Sequence, residues 1–144
     1  MKIKSKKEQG FTLIELLIVM IILGLLAALV GPRMFGKVGS SKQKSAKAQI
    51  SLFETAIDTY RLEVGKFPTT EQGLQALRVC PDGVIKWDGP YLPKDVPLDP
   101  WGNPYTYKYP GEHGDYEIVS YGADGRAGGE SEDTDIVSWK NIGE

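Results

Sequence analysis

The sequence predicts an α+β fold in which one long N-terminal helix, membrane-spanning in its first half and amphipathic in its second, packs on a small antiparallel β-sheet. Three observations carry that prediction. Residues 16–30 are almost entirely apolar, residues 46–64 repeat apolar side chains three and four apart, and three short aromatic or β-branched segments lie near the C-terminus between Gly, Pro and Asp. The 144 residues show no internal repeat and no second domain.

The first element is a basic leader. Lys2, Lys4, Lys6 and Lys7 stand against the single Glu8, and this segment, 1–10, predicts a cytoplasmic N-terminus. The next segment, 11–32, contains a run of about 20 residues from Phe11, about 30 Å as a helix, enough to cross one hydrocarbon core. Charge alone does not orient that span, because Arg33, Lys37, Lys42, Lys44 and Lys47 crowd its other end.

Glu15 places a carboxylate inside this run. Such a group costs roughly 2.5 to 3.5 kcal/mol on insertion scales, so it either serves a purpose, pairs with a positive partner, or snorkels to the headgroups. The flanking residues favour a purpose. An ordinary cleaved signal has a shorter apolar core, about 7 to 15 residues, with small residues at its far end, where Ala27 and Ala28 make only a weak site. Here Gly10 separates the basic leader from Phe11-Thr12-Leu13-Ile14-Glu15 and an unbroken apolar helix. That arrangement resembles the class III signal of type IV pilins and pseudopilins. The resemblance implies that a prepilin peptidase cuts between Gly10 and Phe11 and methylates the new N-terminus on Phe11. Cleavage frees an α-amino group, and the Glu15 carboxylate near the amine of a neighbouring subunit would neutralise both charges and favour ordered assembly.

Beyond the span, Ala46, Ile50, Phe53, Ile57, Tyr60 and Val64 make an apolar stripe on one helix face, which requires cover. Between the halves, Gly31, Pro32, Gly36 and Gly39 form a weak zone: Pro lacks a helix N–H and each Gly costs about 1 kcal/mol relative to Ala. Two readings stay open there, a kink or meltable segment used in assembly, and a simple boundary before the domain 33–144. Pilin-like fibres resemble the first.

The last 80 or so residues are few for an independent core and must use the amphipathic helix as one wall. Gly65 ends that helix and Pro68 prevents its return. Residues 70–77 predict a short second helix capped by Thr69 or Thr70, followed by a loop rich in Pro and Gly. Strands are predicted at 105–109, 116–121 and 136–139.

The resemblance sharpens in this domain. The blocks Phe67-Pro68-Thr69-Thr70-Glu71-Gln72-Gly73-Leu74, Leu98-Asp99-Pro100-Trp101-Gly102-Asn103-Pro104-Tyr105, Pro110-Gly111-Glu112-His113-Gly114 and Ser120-Tyr121-Gly122-Ala123-Asp124-Gly125 are similar to those of the major pseudopilins of bacterial type II secretion systems. Type IV pilins share the N-terminal motif but usually close their C-terminal region with a disulfide, which Cys80 alone cannot form. A lone Cys is expected as a small buried hydrophobe.

A small extracytoplasmic domain with many loops often needs a cross-link, and a metal ion is the usual substitute for a disulfide. Residues 124–135 crowd Asp, Glu and Ser oxygens onto a Gly-rich backbone, donors suited to Ca²⁺. The order of an EF-hand is absent, and by themselves such loops are commonly just solvated. The resemblance implies calcium here, with Asp124 and Asp135 as side-chain ligands, a backbone carbonyl from Tyr121, and Ser131 or Asp133 completing the shell.

No catalytic residue is expected. His113, the only His, lies in Pro-Gly-Glu-His-Gly without a nucleophile or metal-ligand partner and reads as a structural hairpin residue. A membrane-anchored periplasmic enzyme would need a pocket around Glu112, His113 and Asp115 that their spacing does not demand. Nucleic acid is not an expected partner either: without the leader's four Lys and one Glu, the formal charge of −2 becomes about −5. The resemblance implies a single-pass subunit of the inner membrane that self-assembles into a periplasmic fibre and exports folded proteins through the outer membrane. Its implied partners are minor pseudopilins, the prepilin peptidase and the inner-membrane assembly platform. A type IV pilin or competence pseudopilin is the alternative.

Overall fold

The computed structural model describes residues 10–144. Helix α1 runs Leu13–Val64; strands β1 (Thr106–Lys108), β2 (Glu117–Ser120) and β3 (Ile136–Val137) form one antiparallel sheet in the order β1-β2-β3. The chain divides into two compact units, one up to Lys37 and one from Val38 onward.

In the first unit the apolar side chains of α1 from Leu13 to Val30 find no cover among the described residues. Their exposure ranges from 49% at Ile18 to 91% at Leu13, which leaves lipid or other protein to cover them. Helix assignment continues through Pro32, so the weak zone carries no break in this structure. The lost hydrogen bond falls on the Ala28 carbonyl, and the helix continues past that one missing bond.

In the second unit the predicted stripe is the core. Ala46, Ile50, Phe53, Ile57 and Tyr60 are fully buried, with Ala56 nearly so and Val64 packed at the edge. Helix α1 ends where Gly65 adopts a φ of 87° and donates its N–H to Arg61 O, a conformation that suits a residue without Cβ. The stripe meets Phe67, Leu74, Leu77, Leu92, Tyr107, Ile118 and Ile136, and Phe53 meets the Tyr105 ring edge-on at 5.1 Å.

Tyr107 pairs with Ile118 across β1 and β2, and Ser120 with Ile136 across β2 and β3. As the central strand, β2 is buried at all four positions, Glu117 and Ser120 included. Each strand is shorter than its predicted segment, and Tyr105 and Tyr116 pack on the core from irregular backbone beside β1 and β2. The expected second helix also shrinks, to a 3₁₀ turn at Leu74–Leu77. Its N-cap position is Gly73, without a side-chain cap, and the expected Thr69 instead closes the turn before it, where Gln72 N–H donates to Thr69 Oγ1 at 3.2 Å and Thr69 N–H donates to Gln72 Oε1 at 2.9 Å.

Cys80 corrects an expectation. It is exposed rather than buried, because it follows the 3₁₀ turn in a Pro-containing loop and its Sγ faces the Val84 carbonyl at 3.5 Å instead of the core.

Candidate functional sites: the helix tip and the acidic loop

At the N-terminal tip, Gly10 and Phe11 are exposed and Thr12 precedes the first helical residue. Glu15 Oε2 accepts the Thr12 backbone N–H at 2.8 Å and the Thr12 hydroxyl at 2.9 Å, while Glu15 N–H donates to Thr12 Oγ1 at 3.3 Å. Thr and Glu three apart thus close a capping box, which satisfies orphan donors of the first turn and sets a carboxylate at the positive end of the helix dipole. Sequence reasoning gave Glu15 an intermolecular partner and missed this intramolecular one, although the Thr-x-x-Glu spacing announces it. The rest of the basic leader lies outside the described residues.

In the second unit, the acidic loop leaves the end of β2 and returns into β3. Its N-terminal flank is set by a buried carboxylate. Asp99 Oδ1 accepts the N–H groups of Trp101 and Asn103 at 3.0 and 2.9 Å, and Asp99 Oδ2 accepts the Ser120 hydroxyl at 2.7 Å. Asp99 is 4% exposed, so these bonds are what make its burial tolerable. The turn this Asp organises carries Asn103, whose Nδ2 donates to the Gly122 carbonyl at 2.9 Å. Two blocks far apart in sequence, Leu98 to Tyr105 and Ser120 to Gly125, therefore interlock at the mouth of the loop.

Inside the loop the backbone turns through Gly122, Gly125, Gly128 and Gly129, all at positive φ, and Ser131, the one non-Gly residue with positive φ among those described, at 57°. A Cβ on Gly122 would lie 2.7 Å from Glu132 O, and one on Gly129 2.6 Å from Asp133 O, so only Gly fits the crossing of the two limbs. Asp124 Oδ1 accepts the Arg126 N–H at 3.0 Å, and Asp135 Oδ2 accepts the Gly128 N–H at 2.9 Å. The other oxygen of Asp135 is buried with no hydrogen-bond partner. A buried carboxylate oxygen without a donor suits a cation. Among the described residues no three His, Cys, Asp or Glu side chains converge, so backbone carbonyls must supply much of any shell. Tyr121, Asp133 and Asp135 are half-buried, whereas Asp124 and Ser131 are exposed. The Ser131 carbonyl is engaged elsewhere, by Gln43 Nε2 at 2.6 Å, which leaves its hydroxyl.

His113 stacks on Trp139 with ring centroids 4.3 Å apart, and its Nδ1 lies 2.7 Å from Glu117 Oε1. The same oxygen accepts the Glu112 and His113 N–H groups at 2.8 Å each. Burial opposes ionisation of Glu117, but these three donors outweigh it and hold the carboxyl below its ordinary range. The arrangement pins the turn between β1 and β2.

Comparison with known families matches residues 33–139 to the model of type II secretion system protein G and residues 5–31 to the prokaryotic N-terminal methylation motif. The chain belongs to the type II secretion system protein G family. It is 42% identical over 141 residues to the type II secretion system core protein G of Pseudomonas aeruginosa, covering 96% of this chain and 99% of that one. To the Vibrio cholerae core protein G it is 41% identical over 139 residues, covering 94% of each chain. Among solved structures it resembles the major pseudopilin of the type 2 secretion system of enterohaemorrhagic Escherichia coli. That match has a TM-score of 0.64 at 34% identity, over 75% of this chain and 95% of that one. The methylation motif ends at Gly31, within the exposed apolar half of α1, as a membrane-anchored member of this family requires.

Proposed function

We infer that this chain is the major structural subunit of a type II secretion pseudopilus, which waits in the inner membrane and polymerises into a periplasmic fibre that helps export folded proteins through the outer membrane. The observation that carries the reading is the pairing of a helix half with uncovered apolar side chains and a domain that has buried its own stripe. Lipid covers the first half in the free subunit, and neighbouring helices cover it in the fibre. The N-terminus is cytoplasmic and the domain from about residue 33 is periplasmic. Peptidase cleavage after Gly10 gives Phe11 a free, then methylated, amine. In the free subunit the Glu15 carboxylate rests on Thr12. In the fibre it pairs with the amine of the neighbour, a stronger, charge-assisted partner in a site without water. Minor pseudopilins and the inner-membrane platform are the further partners of this reading.

The acidic loop binds calcium, held by Asp124 and Asp135, the Tyr121 carbonyl, and Ser131 or Asp133. What supports this is the partnerless buried oxygen of Asp135 in a loop whose glycines permit tight closure. The ion would supply several oxygen contacts across a loop that no disulfide closes.

Mass spectrometry of the mature protein tests the processing: it should give an N-terminus at methylated Phe11. Deletion of the gene should abolish secretion and fibre assembly. An end near Ala28, or secretion undisturbed by the deletion, would defeat the reading.

A further inference from the structure

The C-terminal flank of the acidic loop is anchored along one edge of α1. Gly39, Gln43 and Lys47 stand four residues apart and so share a helix face. At Gly39 the loop comes so near that an added Cβ would lie 2.7 Å from Glu132 Oε1. One turn on, Gln43 Nε2 donates to the Ser131 carbonyl at 2.6 Å. A further turn on, Lys47 Nζ donates to the carbonyls of Val137, Ser138 and Lys140 at 2.7, 3.1 and 2.7 Å. An ammonium has three N–H groups and no acceptor, so the three carbonyls use Lys47 completely.

These contacts bracket Asp135. Ser131, at φ 57°, holds a conformation that L-residues adopt at a cost, and the Gln43 bond to its carbonyl helps to hold it there. Val137 fixes the chain two residues after Asp135. Between them the backbone has little freedom, and Asp135 is aimed with one oxygen on Gly128 N–H and the other buried without a donor.

We propose that Gln43 and Lys47 are positioning residues for calcium, holding the loop in the conformation that presents Asp135 although neither touches the ion. The proposal rests on the calcium reading above. It also makes α1 a partner to the loop: calcium occupancy and the order of the helix turns from Gly39 to Lys47 stabilise one another, as linkage requires.

The test uses the full processed chain in detergent, with Ca²⁺ titrated calorimetrically and melting followed in Ca²⁺ and in EGTA. Partners of this kind change metal affinity about 10- to 100-fold when removed, so Gln43→Met and Lys47→Met should each weaken Ca²⁺ binding at least tenfold, and Lys47→Arg should restore most of it. A merely structural role would lower melting equally in Ca²⁺ and EGTA and leave affinity within about twofold of wild type, and that result would overturn the proposal. If Lys47→Met does not fold, Gln43→Met decides alone, since it removes a single hydrogen bond. Wild type that binds no Ca²⁺ overturns both readings; wild type that binds, with variants that bind equally well, overturns this one alone.

Discussion

Helix α1 is two helices in physical terms. From Val38 to Val64 its apolar stripe is covered by its own chain, with Ile50, Phe53, Ile57 and Tyr60 fully buried. From Leu13 to Val30 the apolar residues surround the helix and nothing in the described chain covers them. Helical stability in the second half comes from tertiary packing of an amphipathic face, whereas in the first it must come from lipid or from neighbouring subunits. The lesson is that one continuous secondary-structure element carries two tasks, and that damage to either half should leave the other's task intact.

The widest separation should come from Glu15→Leu. The variant should still insert, because an apolar residue replaces a buried charge, and its domain should melt within about 0.5 kcal/mol of wild type, yet fibres and secretion should be lost. Normal secretion would sink the intermolecular pairing and leave Glu15 as only the N3 residue of its capping box.

Phe53→Ala does the reverse. Removing a fully buried ring that packs on Tyr105 should cost about 3 to 5 kcal/mol in the domain while membrane insertion is unchanged. A loss below about 1 kcal/mol by chemical denaturation would mean that the stripe does not hold the second half.

Calcium sharpens the contrast further. At a Ca²⁺ concentration about 100 times Kd, a bound ion adds about 2.7 kcal/mol, so melting of the second unit should rise by about 10 °C or more over EGTA. Asp124→Ala and Asp135→Ala should melt low in both media. Coincident melts of wild type and both variants with and without Ca²⁺ would reduce the loop to a solvated acidic turn.

The smallest effect concerns acid. Glu117 has its folded pKa held below the unfolded value, so its contribution to stability is present above the ordinary carboxylate range, near 4.5, and fades as pH falls through the lower folded value. His113→Phe keeps a ring to stack on Trp139 but removes one donor, which should move the acid-unfolding midpoint to higher pH. Glu54 works in the opposite sense. Desolvation chiefly, with the positive charge of Lys47 opposing and the negative charge of Asp58 adding, raises its pKa, so Glu54→Gln should relieve a small penalty that grows as pH rises from the ordinary carboxylate value through the raised one. An unmoved midpoint in His113→Phe would show that the backbone N–H groups alone hold Glu117.

Much of the molecule was legible beforehand because its signals are local. The stripe from Ala46 to Val64 appears as a three-and-four spacing, and the same spacing is what buries it. Gly65 announces the end of α1, since capping acts over a few residues. Cys80 was misjudged for the converse reason: composition gives an average tendency, while the direction of Sγ depends on the loop around it.

What only the tertiary structure decided is how the acidic loop is held. The sequence determined where the apolar span lies, which helix face needs cover, that oxygen donors crowd residues 124–135, and that Thr12 and Glu15 have capping spacing. It did not determine that Asp99 meets Ser120, that Asn103 meets the Gly122 carbonyl, or that Gln43 and Lys47 grip the far flank from α1. Those partners lie 21, 19, 88 and 90 residues apart, and a hydrogen bond closed across such a distance depends on how the core brings backbone carbonyls to the surface of a helix. Periodicity reports which face of an element is buried, and it carries no record of which polar groups that burial brings together.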